Sequence, residues 1–346
     1  MKKTARTLND KRVFKTLNPK FSHIYIEKGV LNNPLSQKIL FHFPKSKIIE
    51  IDHYKDFFCR PRQDFVLQKK TPKLILATQR TPFLYERARP CHWLGYQRFF
   101  YTSEIVNCLF DCEYCFLQGL YPSGNIIIFV NQADIKKAVK EELENGPLML
   151  SISYNTDLLV FEKLTGMVEG WINFASKHPD ITIELRTKSS IVFPFIHKDP
   201  LNNFQLSWSL SPNYAVNSFE HQTPSAEARI KAIKKVTANG WKVRLCFDPI
   251  IPFTGWKQKY EQLIENVFAE ISTKEVIDVT IGPFRMSKEH LKQTRKRRPD
   301  SLVLAYPYKL IKDIYSYPAT QIEDITKTIS GYISKHLDKE RIHAAI

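Results

Sequence analysis

From about Gln97 onward, short β-rich runs alternate with amphipathic helical stretches, and this alternation restricts the fold more than any other feature of the chain. Strand patterns fall near 98–103, 126–131, 148–156, 181–188, 204–211, 241–249 and 276–284. Helical patterns fall between them, near 132–144, 163–177, 225–239, 256–271 and 287–297. A strand, a helix and a second strand close most readily as a parallel βαβ unit. The chain therefore predicts an α/β fold, a parallel sheet covered by helices, either open or curled into a full or partial barrel. Function is then expected on loops at the C-terminal strand ends. The helix at 225–239 illustrates the pattern. Thr223 can cap it, Pro224 suits its first turn, Ile230, Ile233 and Val236 form an apolar stripe, and Asn239-Gly240 offers a left-handed stop before Trp241 opens a strand.

Residues 1–96 mix short apolar runs, such as Ile24–Ile26 and Leu74–Ala77, with Pro, Lys and Asn, and predict an irregular α/β N-terminal portion. The alternating region occupies 97–315. In the remaining segment, 316–346, Ile322, Ile325, Ile329 and Ile333 recur at helical spacing and predict a packed terminal helix. At 346 residues, 43% hydrophobic and 25% charged, the chain can bury a large core, which excludes collagen-like, coiled-coil and wholly disordered classes. No run of about 18 apolar residues is present, and Met1–Arg12 is basic and polar. The expectation is a cytoplasmic protein without a membrane partner.

Charge and cysteine usage narrow the chemistry. Lys and Arg number 51 against 35 Asp and Glu, a net charge of +16 that attracts polyanions and makes nucleic acid the natural partner. The six Cys fit a reducing compartment, where clustered thiols bind metal more often than they pair. Cys108, Cys112 and Cys115 follow a predicted strand at C-x3-C-x2-C spacing. Three thiolates on one short loop can wrap three irons of a cubane cluster and leave the fourth open to a small molecule's amine and carboxylate. The competing reading is a zinc knuckle, with Cys91 or His92 as the fourth ligand.

With Tyr114 as its aromatic, the loop resembles the signature of the radical SAM enzymes, which cleave S-adenosylmethionine to a 5′-deoxyadenosyl radical. The similarity narrows through Cys108 to Gln118, Ile128–Asn131, Asn155-Thr156-Asp157, Arg186-Thr187-Lys188, Ser209-Leu210-Ser211, Phe219-Glu220, Arg229, Pro249-Ile250 and Gly255-Trp256. Over most of its length the chain is similar to the spore photoproduct lyase family, which repairs a methylene-bridged thymine dimer in DNA. The resemblance implies a partial (β/α)6 TIM-type barrel with an N-terminal α/β extension. It also implies a 4Fe-4S cluster on Cys108, Cys112 and Cys115, with S-adenosylmethionine held by Thr156, Asp157, Lys188 and Ser209. A one-electron reductant such as flavodoxin or ferredoxin goes with it.

Departures from the family pattern matter as much. Tyr154 stands where many relatives place the Cys that returns a hydrogen atom to the product radical, and Phe116 stands where the family has a second Tyr beside Tyr114. The hydrogen donor is therefore expected to be Cys91, slightly preferred as a thiol, or Tyr154 itself, with Cys246 a further thiol, and Tyr114, the one tyrosine left of the family's pair, is counted with Cys91 and Tyr154 as a catalytic candidate. Asp248 replaces a residue that is usually small and apolar. Near 292–298 the basic run of Lys292, Arg295, Lys296, Arg297 and Arg298 is expected to meet phosphates, and Tyr306, Tyr308, Tyr315 and Tyr317 to stack on or wedge beside a base. The leading expectation is a radical SAM DNA repair lyase. Its rivals are a radical SAM enzyme acting on another nucleic-acid or small-molecule substrate, and a non-catalytic metal-containing nucleic-acid-binding protein.

Overall fold

The structure, a computed structural model, describes residues 20–87 and 95–344. Its larger sheet runs in the order 342–344, 276–283, 243–250, 204–209, 181–187, 148–151, 99–101, 85–86. Every pairing is parallel except the last, where Tyr85–Glu86 runs antiparallel to Phe99–Tyr101. From Phe99 to Pro283 the strands lie side by side in chain order. Helices Met167–Ala175, Ala226–Thr237 and Trp256–Glu270 make crossovers, whereas 188–203 crosses without a helix. Strands such as Phe204–Ser209 are buried at every residue, as a sheet covered on both faces requires.

Local chemistry sets the helix ends. Ser225, not Thr223, caps Ala226–Thr237: its side chain accepts from the Ala228 N–H, while the Thr223 hydroxyl donates back to the Glu220 carbonyl at 2.8 Å. Pro224 lies before the cap rather than in the first turn. At the other end Gly240 takes φ +83°, and the Trp241 N–H donates to the Val236 carbonyl at 3.2 Å, which turns the chain into the next strand.

The second sheet has the order 47–51, 23–27, 74–77, 126–129, 105–106, with only the last pairing antiparallel. The N-terminal portion is thus a regular parallel sheet with its own helices, not an irregular one. The run expected at 126–131 belongs to this sheet, beside Leu74–Ala77, so the two sheets interleave across residue 97. Ile126, Ile127, Ile128 and Phe129 are all buried, and a strand apolar on both faces carries no mark of which sheet it will join.

At the C-terminus, helix Ala319–Ile333 buries Ile325, Ile329 and Ile333 against strand Val276–Pro283. Ile342–Ala344 then extends the large sheet as a parallel edge strand, which the expected helical segment did not include. Among the described residues, no helix is long and apolar enough to cross a membrane.

Candidate active site

A cavity of about 450 Å³ lies at the C-terminal ends of the large sheet's parallel strands, a size suited to a small-molecule site. Cys108, Cys112, Cys115, Tyr114, Tyr154, Thr156, Asp157, Lys188 and Ser209 all line it. Cys91 lies outside the described residues.

The cysteine loop is pinned from several directions. Asn107 enters it at φ +68°, and its amide donates to the Ser123 and Asn125 carbonyls at 2.8 and 2.6 Å. Asp111–Cys112 pairs antiparallel with Glu220–His221. Lys69, only 8% exposed, donates to the Phe110 carbonyl at 2.8 Å and to the Cys108 carbonyl. Behind the loop, Gly119 meets helix Lys288–Arg297 so closely that a Cβ there would lie 2.3 Å from the His290 carbonyl oxygen.

That close approach changes the reading of the basic run. Arg297 donates to the Gln118 carbonyl and, at 2.7 Å, to the Tyr121 carbonyl. Arg298 pairs with Asp111 and donates to Gln118 Oε1 at 2.5 Å, while Arg295 donates to the Leu304 and Tyr306 carbonyls at 2.7 and 2.8 Å. The arginines expected to meet phosphate instead hold the cysteine loop and the turn beyond the helix; Lys292 and Lys296 are the exposed members. Tyr308 and Tyr317, expected to meet bases, are buried with Phe284 and Tyr306 in an aromatic cluster. Replacing Arg295, Arg297 and Arg298 together by Ser is therefore expected to lower the thermal midpoint while leaving the salt dependence of DNA binding nearly unchanged. A log–log slope shallower by about 2–3, at ~0.9 per lost phosphate contact, would return them to the DNA interface.

Within the loop the Tyr114 hydroxyl donates to Glu220 Oε1, and the Ser211 hydroxyl donates to the same oxygen at 2.9 Å. Arg229 meets Glu220 Oε2 at 2.5 Å, both side chains having zero exposure. Burial alone would raise the Glu220 pKa, but the Arg229 and Lys188 charges and the hydrogen bonds from Tyr114 and Arg229 outweigh it and hold it down at about 2. Burial, reinforced by Glu220, keeps Tyr114 a neutral phenol. The Lys188 ammonium stands 5.7 Å from the centre of the Tyr114 ring.

Next to it, Asp157 accepts from the Thr187 hydroxyl at 2.8 Å and the Lys188 N–H at 2.7 Å. Burial pushes it up to about 6, with those hydrogen bonds limiting the rise, so it is a carboxylate at neutral pH. Thr156 lines the cavity, and its hydroxyl oxygen is buried without a hydrogen-bond partner. Burial raises the Cys108, Cys112 and Cys115 thiols, Cys108 up to about 12. Among the described residues, no three His, Cys, Asp or Glu side chains are placed to share a single metal ion. Three thiols at C-x3-C-x2-C spacing on one cavity wall suit three irons of a 4Fe-4S cluster.

Tyr154 stacks on Tyr101 at 4.1 Å and tilts against Phe116 at 5.4 Å, and Phe116 in turn stacks on His290 at 6.1 Å. Arg186 of the Arg186-Thr187-Lys188 element lines the cavity, as do His290 and Arg285, which no spacing in the sequence marks because they arrive from other elements. Cys246 is buried within the sheet and does not line the cavity, and Cys59 is exposed.

The family model described as "Spore photoproduct lyase" matches residues 19–344. The chain belongs to the spore photoproduct lyase family. Among its relatives, the spore photoproduct lyase of Geobacillus sp. (strain Y412MC61) is 22% identical over 344 residues, covering 92% of this chain and 96% of that one. The lyase of Bacillus subtilis (strain 168) is 23% identical over 265 residues, 74% and 75% of the two chains. A solved spore photoproduct lyase complexed with dinucleoside spore photoproduct superposes with TM-score 0.79 at 19% identity, covering 95% and 98%. A mutant of such a lyase with bound AdoMet and dinucleoside spore photoproduct gives 0.77 at 20% identity, with the same coverage. These likenesses establish the α/β fold. Family membership makes the chain a radical SAM lyase whose cofactors are a 4Fe-4S cluster and S-adenosylmethionine.

Proposed function

We propose that this chain is a DNA repair lyase that reverses the methylene-bridged thymine dimer, 5-thyminyl-5,6-dihydrothymine, to two thymines. The convergence of three cluster-spaced thiols with Asp157, Lys188 and Ser209 on one cavity, in a member of this family, carries the reading. When bound, the cluster and S-adenosylmethionine would supply a 5′-deoxyadenosyl radical able to take a hydrogen atom from the lesion. Cys108, Cys112 and Cys115 would hold the cluster. Asp157, ionised at neutral pH, would hold the methionine ammonium, Lys188 its carboxylate or a ribose oxygen, and Thr156 and Ser209 the ribose hydroxyls. Tyr114, fixed by Glu220, props this wall rather than reacting.

We assign the returning hydrogen atom to Tyr154, because its phenol is on the cavity wall. The O–H bond breaks, a C–H bond forms on the thymine methylene, and the unpaired electron spreads over the Tyr154 ring stacked on Tyr101.

The strands from Phe99 to Pro283 are read as a partial (β/α)6 barrel within 97–315, flanked by the N-terminal sheet and the terminal helix. Phe99 and Phe284 line one cavity although their strands end opposite sides of a row that, laid flat, would separate them by roughly 24 Å. DNA is the partner favoured by the +16 charge and by a hairpin whose first strand, Lys309–Ile311, is exposed and whose second, Ile314–Ser316, pairs with the cavity-lining strand Arg285–Ser287. Its turn residues Lys312 and Asp313 both take positive φ, which gives the tight two-residue connection. Flavodoxin or ferredoxin would be the electron donor, and the cytoplasm the compartment.

Anaerobic, reconstituted protein incubated with the dinucleotide lesion and dithionite is expected to yield two thymines. Tyr154→Phe is expected still to cleave S-adenosylmethionine but to lose clean thymine to side products, with Cys91→Ala unaffected; the reverse pattern would make Cys91 the donor. Phe116, Tyr154 and Asp248 favour a second reading, a different substrate in the same site. Cofactor cleavage without reaction of the lesion would select it.

A further inference from the structure

Behind the cysteine loop lies a buried cation whose charge no role above uses. Lys69 sits in the last turn of helix Phe65–Lys70, which Asp64 caps by accepting from the Leu67 N–H at 2.9 Å. The turn before strand Ile126–Phe129 holds this helix in place, since Gln68 Oε1 accepts from the Ser123 hydroxyl at 3.0 Å and from the Gly124 N–H at 2.8 Å. A Cβ on Gly124 would lie 2.6 Å from the Phe65 carbonyl oxygen and 3.2 Å from Lys69 Cγ, so glycine there leaves room for the lysine stem.

The ammonium ends among carbonyls, donating to those of Phe110 and Cys108. Among the described residues no carboxylate forms an ion pair with it, and Asp111, the acid of the same loop, is taken by Arg298. Lys69 shares with Cys108, Cys112 and Cys115 a cavity of about 10 Å³, at most the room of one water, so bulk solvent does not screen its charge. A cation withdrawn from water is unfavourable unless an anion compensates it. Three thiolates around an oxidised cubane carry one net negative charge, and reduction adds a second. The loaded loop therefore supplies the missing anion, and its reduced form supplies more of it.

We propose that Lys69 is the counter-charge of the cluster loop, favouring the reduced cluster and so easing the electron transfer that starts the reaction. The step is electron transfer alone: a one-electron donor is oxidised, the cluster is reduced, and no bond or proton changes place. Lys69 does not line the large cavity, so it acts through the cluster and not on the substrate. The assignment rests on the cluster and is independent of which lesion is repaired.

Electron paramagnetic resonance of anaerobically reconstituted protein, titrated with dithionite without S-adenosylmethionine or lesion, reads the ratio of reduced to oxidised cluster at each potential. At the wild-type midpoint, Lys69→Met and Lys69→Gln are each expected to lower that ratio about tenfold, or about 59 mV for one electron, the order expected of one charge lost from a protein interior. Lys69→Arg is expected to stay close to wild type. The shift should persist at high salt, because a charge out of water is little screened. A lysine that only ties the loop would lower the thermal midpoint of the two neutral variants and leave the ratio unchanged. That result would overturn the proposal, as would an equal shift in Lys69→Arg. If neither neutral variant holds iron, the iron content of Lys69→Arg gives the answer: wild-type content supports a need for charge, and its loss makes the position one of shape and overturns the counter-charge. Wild-type protein that takes up no iron would overturn the cluster itself, a failure distinct from all of these.

Discussion

Replacing Cys108, Cys112 or Cys115 singly by Ala is expected to abolish both the iron–sulfur cluster and deoxyadenosine formation, whereas Cys59→Ala leaves both intact. Reconstituted wild-type protein should hold ~4 iron and ~4 sulfide per chain, the content of one cubane. The loss should be complete in each variant because every thiol serves its own iron, so no neighbour substitutes for a missing one. The cavity reinforces this: burial is the main cause of the raised thiol pKa values, and an unligated thiol there stays protonated. Circular dichroism separates the effect from misfolding, since the loop is also pinned by Lys69, Arg297 and Arg298, which none of these substitutions removes. Stoichiometric zinc in place of iron would sink the enzyme reading.

Arg229→Met is expected to cost about 3–5 kcal/mol, because it strands the Glu220 carboxylate without its buried cation. In the wild type Glu220 is held at about 2, below its ordinary value near 4.5. It therefore contributes stability that is fully present above pH 4.5 and is lost as pH falls toward 2. Without Arg229, burial, already the largest influence on Glu220, should lift it above 4.5, so its contribution reverses and stability falls as pH rises past that value. Urea unfolding across pH 3–8 would reveal the change of sign. Arg229→Met with Glu220→Gln should recover much of the loss, since no charge then remains buried. Both variants should bind less iron than wild type, because Glu220 also anchors Tyr114 and its strand pairs with Asp111–Cys112. An Arg229→Met protein of wild-type stability would show that Glu220 reaches water or protonates without penalty.

Much of the site was readable in the sequence because its members are local. Three cysteines within eight residues keep their spacing wherever the element goes, since short range fixes which side chains share a loop, whereas Thr156 and Asp157 are marked by the family resemblance alone. Local pattern likewise marks the strands from Phe204 and Val243 and the helices that cross between them. Their periodicity reports burial, which the fold must satisfy.

Residues whose meaning depends on a distant partner were not readable in this way. Arg297 and Arg298 look like a phosphate-binding run until Gly119 lets their helix settle against the cysteine loop, where carbonyls and Asp111 take the charges. Tyr308 and Tyr317 look like base-stacking residues until Phe284 closes over them. Ile126–Phe129, buried on both faces, fits either sheet, and only its pairing with Leu74–Ala77 chose. Asp248 gained its two arginines, Arg186 and Arg285, from different strands. By itself the sequence determined the parallel α/β architecture, the cluster loop and the family, because these rest on periodicity and short spacing. Tertiary structure decided which charges face the cavity and which are spent on the scaffold, because an ion pair or a strand pairing is set by what the rest of the chain brings within reach.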